Sequence, residues 1–385
     1  MGRKVADQLV ETICKAGIRR IYAVAGDSLN EVNDAVRRAE TVEWVHVRHE
    51  ESGAFAAAAE AQLNGIACCA GSSGPGHVHL INGLYDAQRS GCAVLAIAST
   101  CPSDEFGTGY FQETDPIRLF ADCSGYNQLA VTPPQFARML PMALQYAISK
   151  KEVAVIGLPG DLAAAEAAES PVASELLSSR ALCRPQDDQL RALAEMVRRA
   201  EKITIYCGIG ARNAHDEVVA LSELLKAPVA YSFKAKMDVQ YDNPCEIGMT
   251  GLLGLPSAYI SMHESDLLLL LGTDFPYESF MPEECRIAQI DIRPERIGRR
   301  ARVELGLAGD VKDTLQALIP LLEERREQAF LDRQLKIYRE LCDKMQRTAE
   351  KRGREGNIAP EYVATLIDRL AAHNAIFTVD TGMCC

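Results

Sequence analysis

The chain has 385 residues, with 41 Lys and Arg against 53 Asp and Glu, for a formal net charge of −12. That balance argues against a general nucleic-acid binder, which needs a basic face. It shows no membrane-length apolar run of roughly 18 residues, and its N-terminus lacks the apolar core of a signal peptide. Its 13 cysteines are scattered without a Cys-x-x-Cys pair, as expected of reduced thiols in a cytoplasmic protein with no zinc motif.

In chain order, residues 21–25 form a short apolar run ending at Gly26, and Asp27-Ser28 offer an N-cap for a helix reaching residue 39. Residues 42–47 read as a strand, and Glu50 begins an alanine-rich helix to residue 63. Residues 66–70 form a buried strand, followed by Gly71-Ser-Ser-Gly-Pro-Gly76 and a helix through residue 88. Strands follow at 93–99 and 153–158. Strands separated by helices of this length imply parallel crossovers, hence a doubly wound sheet over residues 1–165. The Ala, Glu, Ser and Pro bias around 166–190 reads as a linker.

A second α/β unit spans 191–325, with strands at 202–207, 228–231, 266–271, 286–292 and 303–307 and helices at 216–226 and 311–324. The charged stretch 326–357 reads as a connecting surface helix. Pro360 opens a further helix to residue 372, and 375–380 reads as a strand running into Thr381-Gly382. A strand with a glycine turn ordinarily feeds a covering helix. Residues 358–385 are therefore expected to be the start of a third, truncated domain.

Three sets of residues offer chemistry. Glu50 stands where a strand end meets a helix start, the place where open α/β sheets bind ligands; equally, a carboxylate there suits the helix dipole as a structural group. The glycines of 71–76 either bring backbone close to a ligand or make a tight turn. In the second unit, Cys207-Gly-Ile-Gly210 is a degraded glycine fingerprint. With Thr250-Gly251, Gly272-Thr273, Asp291 and Asp310 it puts Gly, Asp and Thr at strand ends that would line a long nucleotide cleft.

Tyr22-Ala-Val-Ala-Gly-Asp-Ser-Leu-Asn30, Arg48-His-Glu-Glu51, the loop 71–76 with His79-Leu-Ile-Asn-Gly-Leu-Tyr-Asp86, and Gly109-Tyr-Phe-Gln-Glu113 occur in that order. Together they resemble the first domain of the thiamine-diphosphate-dependent pyruvate oxidases and quinone-reducing pyruvate dehydrogenases. Residues 238–256, ending Gly248-Met-Thr-Gly-Leu-Leu-Gly-Leu-Pro256, resemble that family's flavin-binding middle domain. The resemblance implies two doubly wound parallel-sheet domains, a pyrimidine-binding fold and then a flavin-binding domain, plus the start of a third. It implies oxidative decarboxylation of pyruvate to acetate and carbon dioxide, with electrons passing through FAD to a quinone.

On the same resemblance, Glu50 matches the glutamate that activates the cofactor. A carboxylate bonded to the aminopyrimidine promotes loss of the thiazolium carbon proton. Gly74, Pro75, Gly76 and Asn82 match the segment flanking the cofactor, and Phe111 and Gln112 match substrate-side residues. His49 and His79 stand as proton handlers or as structural histidines. Gly208, Gly210, Lys234, Thr250, Gly251, Gly272, Thr273, Asp291 and Asp310 are the expected flavin contacts. Lys234-Ala-Lys236 departs from the family's Arg-Gly-Lys, trading bidentate phosphate geometry for a point charge.

The family's Gly-Asp-Gly segment, which holds Mg²⁺ and the diphosphate, has no counterpart here. This leads to the expectation that about one ordinary domain is missing, that the chain alone is inactive, and that the metal ligands and any membrane-seeking segment belong to the missing part. A homo-oligomer built as a dimer of dimers, peripheral to the inner membrane in its full-length form, is implied by likeness. The competing expectations are an acetolactate-synthase-like carboligase and a non-catalytic flavin-binding or assembly module.

Overall fold

The computed structural model describes residues 2–169, 181–354 and 358–379. It divides into two compact units, Met1–Arg180 and Ala181–Cys385. In the first, β1 (Arg20–Ala23), β2 (Glu43–His46), β3 (Ala67–Gly71), β4 (Val94–Thr100), β5 (Tyr126–Leu129) and β6 (Val153–Pro159) form one sheet in the order β2-β1-β3-β4-β6-β5. Every pairing is parallel.

The central strands read as continuous apolar runs because both faces are covered. Cys68, Ala70, Leu95, Ile97, Ala154 and Ile156 pack against the helices Val5–Lys15, Asn30–Ala39 and Pro133–Lys150. The alternate residues Cys69, Val94, Ala96, Val153 and Val155 pack under Glu50–Asn64 and Ile81–Ser90.

The second unit repeats the plan with β7 (Ile203–Cys207), β8 (Val229–Tyr231), β9 (Glu246–Met249), β10 (Leu267–Leu271), β11 (Arg286–Asp291) and β12 (Leu305–Ala308), ordered β12-β11-β10-β7-β8-β9. Its pairings are also all parallel. The architecture is α/β with two parallel-sheet domains. Among the described residues no helix is long and apolar enough to cross a membrane.

The structure departs from the sequence reading in definable places. Two strands, β5 and β9, were not foreseen: each has four residues, sits at a sheet edge and carries polar side chains, so neither shows an apolar run. The helix expected from Asp27-Ser28 begins at Asn30, because residues 27–29 form a 3-10 turn. The helix expected through 324 stops at Leu318, where Pro320 follows and a 3-10 turn takes over. The linker reading falls partly on described residues: Lys4 bridges Glu166, and Asp187–Arg199 is already helical, while 170–180 lies outside the described residues. Residues 375–379 form no strand, since no described strand lies beside them to supply a ladder; Asp380 is outside the described residues.

Candidate functional site

In the first unit the chain steps from β1 to β2 on one side and returns to β3 on the other, so the carboxyl ends of β1 and β3 flank a topological switch point. The two strand-end loops touch there. A Cβ on Gly26 would lie 2.4 Å from Ser72 Cβ, and Ser28 Oγ accepts the Ser73 N–H at 2.9 Å. Ser99, at the end of β4, donates its hydroxyl to the Ser28 carbonyl at 2.9 Å. Serine and glycine at these positions let three strand ends close into one floor.

Glu50 enters this floor from the third direction. It is the first residue of its helix and is buried, 7% exposed, where the helix N-terminus favours negative charge. His49 is the N-cap, its Nδ1 accepting the Glu51 N–H at 3.3 Å. His79 Nδ1 lies 3.0 Å from Glu50 Oε2, and the imidazoles of His49 and His79 stack with centroids 4.4 Å apart. On the other side of Glu50, a Cβ on Gly76 would stand 3.3 Å from Oε1 and 2.6 Å from Ser72 Oγ. Gly76 thus leaves open the space that the carboxylate faces.

The loop after β4 closes over the same glycines. Gly74 takes φ +68°, a left-handed value, and a Cβ there would meet the Gln112 backbone at 3.2 Å. Ser73 donates its hydroxyl to Gln112 Oε1 at 3.1 Å. Glu113 holds the loop's turn by accepting the N–H groups of Gly107 at 2.6 Å and Gly109 at 3.0 Å.

His77, which the sequence reading did not single out, is fully buried beneath this loop. Its Nδ1 lies 2.7 Å from the Ser99 carbonyl, which only accepts, so Nδ1 carries the proton and Nε2 accepts from the Thr114 hydroxyl. Burial pushes its pKa down.

The structure therefore brings Glu50, Gly74, Pro75, Gly76 and Gln112 to one place. Two expected members are exposed. Asn82 is exposed and donates to Glu51 Oε1. Phe111 is 82% exposed, its ring touching only that of Tyr110 among described aromatic contacts. Nothing in the spacing of the sequence marks Ser28, Ser73, His77 or Glu113 as their partners.

In the second unit Gly208, Gly210, Gly272 and Thr273 meet at the switch between β7 and β10. Their closeness is mutual: a Cβ on Gly208 would lie 2.4 Å from the Gly272 carbonyl, and one on Gly210 2.7 Å from Gly272 Cα. These glycines nest two protein turns into each other, which accounts for them without a ligand. Thr250 is buried, and Gly251 takes φ +118° with the Phe275 ring 3.2 Å from where its Cβ would be. Lys234 is exposed in the turn Phe233–Ala235. Asp291 ends β11, accepts the Arg293 N–H at 2.9 Å and is pushed up in pKa by burial. Asp310 caps the helix Val311–Leu318, accepting the Asp313 N–H at 3.2 Å. All of these lie along the carboxyl edge of one sheet, yet Asp310 is engaged in helix capping.

Two family models match. Residues 3–119 match the thiamine pyrophosphate enzyme N-terminal TPP binding domain, and residues 190–318 match the thiamine pyrophosphate enzyme central domain. An uncharacterized 42.6 kDa protein of Pseudomonas amyloderamosa is 50% identical over 338 residues, covering 87% of this chain and 85% of its own. YdaP of Bacillus subtilis, named as thiamine pyrophosphate-containing, is 33% identical over 99% of this chain and 67% of its own length. Pyruvate oxidase of Lactiplantibacillus plantarum is 29% identical over 95% of this chain, which spans 62% of that enzyme.

Proposed function

The chain belongs to the thiamine pyrophosphate enzyme family, and from that premise we propose that it is part of a flavin-linked pyruvate dehydrogenase that delivers electrons to a quinone. The observation that carries the reading is Glu50: a buried carboxylate at a helix N-terminus, facing the space that Gly76 keeps open at a switch point. The fit to the cofactor lies there, since a flat aminopyrimidine needs a carboxyl group that shares a proton with one ring nitrogen and room beside it. Bound thiamine diphosphate supplies a thiazolium that takes up the electron pair released when pyruvate loses carbon dioxide.

This chain's own residues do the rest. Glu50 would hold the aminopyrimidine by sharing a proton with its ring nitrogen, a hydrogen bond that burial of the carboxyl group shields from competing water. His79 orients that carboxylate through Oε2. Ser73 fixes Gln112 at the mouth of the cradle, where a small 2-oxo acid would lie. In the second unit Thr250, Thr273 and Asp291 are the residues proposed to meet the flavin, while Gly208, Gly210 and Gly272 shape the turns behind them. The diphosphate and its Mg²⁺ are assigned to the family's third domain, and assembly follows the family's dimer-based pattern.

The test is carbon dioxide release from labelled pyruvate with thiamine diphosphate, Mg²⁺ and FAD, read together with flavin reduction. It is run on the chain alone and on the chain mixed with a family member that carries Gly-Asp-Gly. Glu50→Gln should cut release by at least about 100-fold, the scale of a lost general acid–base group. Acetolactate without flavin reduction would replace the reading with a carboligase. No thiamine-dependent release in either preparation would remove it.

A further inference from the structure

The pair of stacked histidines beside Glu50 has more ligating capacity than an orienting role needs. His49, Glu50 and His79 each offer one ligand atom, and these atoms lie within 4.8 Å of one another. His79 Nδ1 and Glu50 Oε2 are already 3.0 Å apart. Ligands around a tetrahedral ion with bonds of about 2.0–2.1 Å are separated by roughly 3.3 Å, so one pair has ligating spacing and the third member closes by a small side-chain rotation. That rotation is available: the His49 and His79 side chains are 46% and 43% exposed, whereas Glu50 is held in the floor. His49 uses Nδ1 to cap its helix, which leaves Nε2 for a ligand.

We infer that His49, Glu50 and His79 form a binding site for a divalent transition-metal ion, with Zn²⁺ the best match to two imidazoles and one carboxylate. Three protein ligands with the remaining position open to solvent is the arrangement of an accessible zinc site rather than of a closed structural one. Mg²⁺, which prefers hard oxygen ligands in an octahedron, is a poor match to the same donors. Resting on the proposed function, occupancy has a regulatory consequence. The ion takes the carboxylate that thiamine would need, so metal and cofactor exclude each other.

The experiment is a titration of the purified 385-residue chain, free of cofactor, with Co²⁺ as a coloured stand-in for Zn²⁺, followed by its visible absorption. Binding with one equivalent, displaced by Zn²⁺ and indifferent to an equal concentration of Mg²⁺, is expected. His49→Asn keeps the helix cap, and His79→Asn leaves an exposed position polar. Each should weaken binding at least tenfold while Trp44 fluorescence reports an unchanged fold. Unaltered affinity in both variants would overturn the site, as would intense near-ultraviolet thiolate absorption placing the ion on cysteines. Addition of thiamine diphosphate separates the two ideas. Loss of the cobalt signal supports the competition, and cobalt that stays while the variants still lose it counts against the cofactor reading of Glu50 alone.

Discussion

His77 shows how one buried side chain can set both local geometry and pH response. Its proton sits on Nδ1 because the Ser99 atom facing it is a carbonyl oxygen, which can only accept, and the Thr114 hydroxyl therefore donates to Nε2. Burial depresses its pKa, so the folded chain resists a proton that the unfolded chain accepts at an ordinary value of about 6.5. The unfolded state binds more protons over that interval, and stability falls as pH drops below about 6.5 toward the folded value. Urea midpoints between neutral and mildly acidic pH should show this slope, and His77→Gln should flatten it. The same variant should cost about 1–3 kcal/mol at neutral pH, because an amide whose donor and acceptor both sit at its distal end cannot serve the Ser99 carbonyl and the Thr114 hydroxyl at once. Gly76 separates binding from folding. A methyl there meets Ser72 Oγ, which can rotate, and intrudes on Glu50 Oε1, which is buried. Gly76→Ala should lower thiamine diphosphate affinity about tenfold or more by calorimetry with a smaller change in unfolding midpoint. Equal affinity would show that the cradle does not receive the ring.

At the scale of elements, Glu50 is placed by the contact between the helices Glu50–Asn64 and Ile81–Ser90, and that contact depends on Gly83. A Cβ on Gly83 would lie 2.5 Å from Ala54 Cβ, 2.8 Å from Phe55 N and 2.9 Å from the Glu51 carbonyl. Two of those atoms are backbone, so a methyl forces the helices apart. Alanine is the better helix former by about 1 kcal/mol, whereas overpacking costs typically 1–3 kcal/mol. Gly83→Ala should therefore leave the protein less stable in urea, opposite to the sign that propensity alone gives. Helix parting would also move Asn82 from Glu51 and His79 from Glu50. In the second unit Tyr338 on the helix Ala329–Arg354 donates to Glu246 at 3.0 Å, and Tyr231 donates to the same carboxylate from β8. This ties the long helix to the sheet edge.

For the whole molecule, the decisive feature is that each unit closes its own core. The buried clusters of the first unit draw only on residues up to Ala163, and those of the second begin at Leu190. The single tryptophan, Trp44, lies on β2 of the first unit. Leu269, 2% exposed in the centre of β10, belongs to the second. Leu269→Ala should cost the second unit about 2–5 kcal/mol, seen as an earlier loss of far-ultraviolet circular dichroism. The Trp44 fluorescence transition should keep its midpoint; if it follows, the two cores unfold as one.

The sequence by itself determined the α/β class and the succession of the main strands along the chain, because a strand buried on both faces must be a continuous apolar run and a parallel crossover must carry a helix. It marked Glu50 and the glycines of 71–76 through local features: a strand end, a helix start and glycine-rich turns. The edge strands β5 and β9 escaped it, since four residues that mix polar and apolar side chains make no apolar run even where, as at Ile247, one of them is buried. Only the tertiary structure decided which of the marked residues stand together. Strand order brings Ser28, Ser73, His77 and Gln112 to the loops around Glu50, leaves Asn82 and Phe111 exposed, and presses Gly208, Gly210 and Gly272 into one another. Those distances depend on which strand lies beside which, a property of the folded sheet that no spacing along the chain encodes.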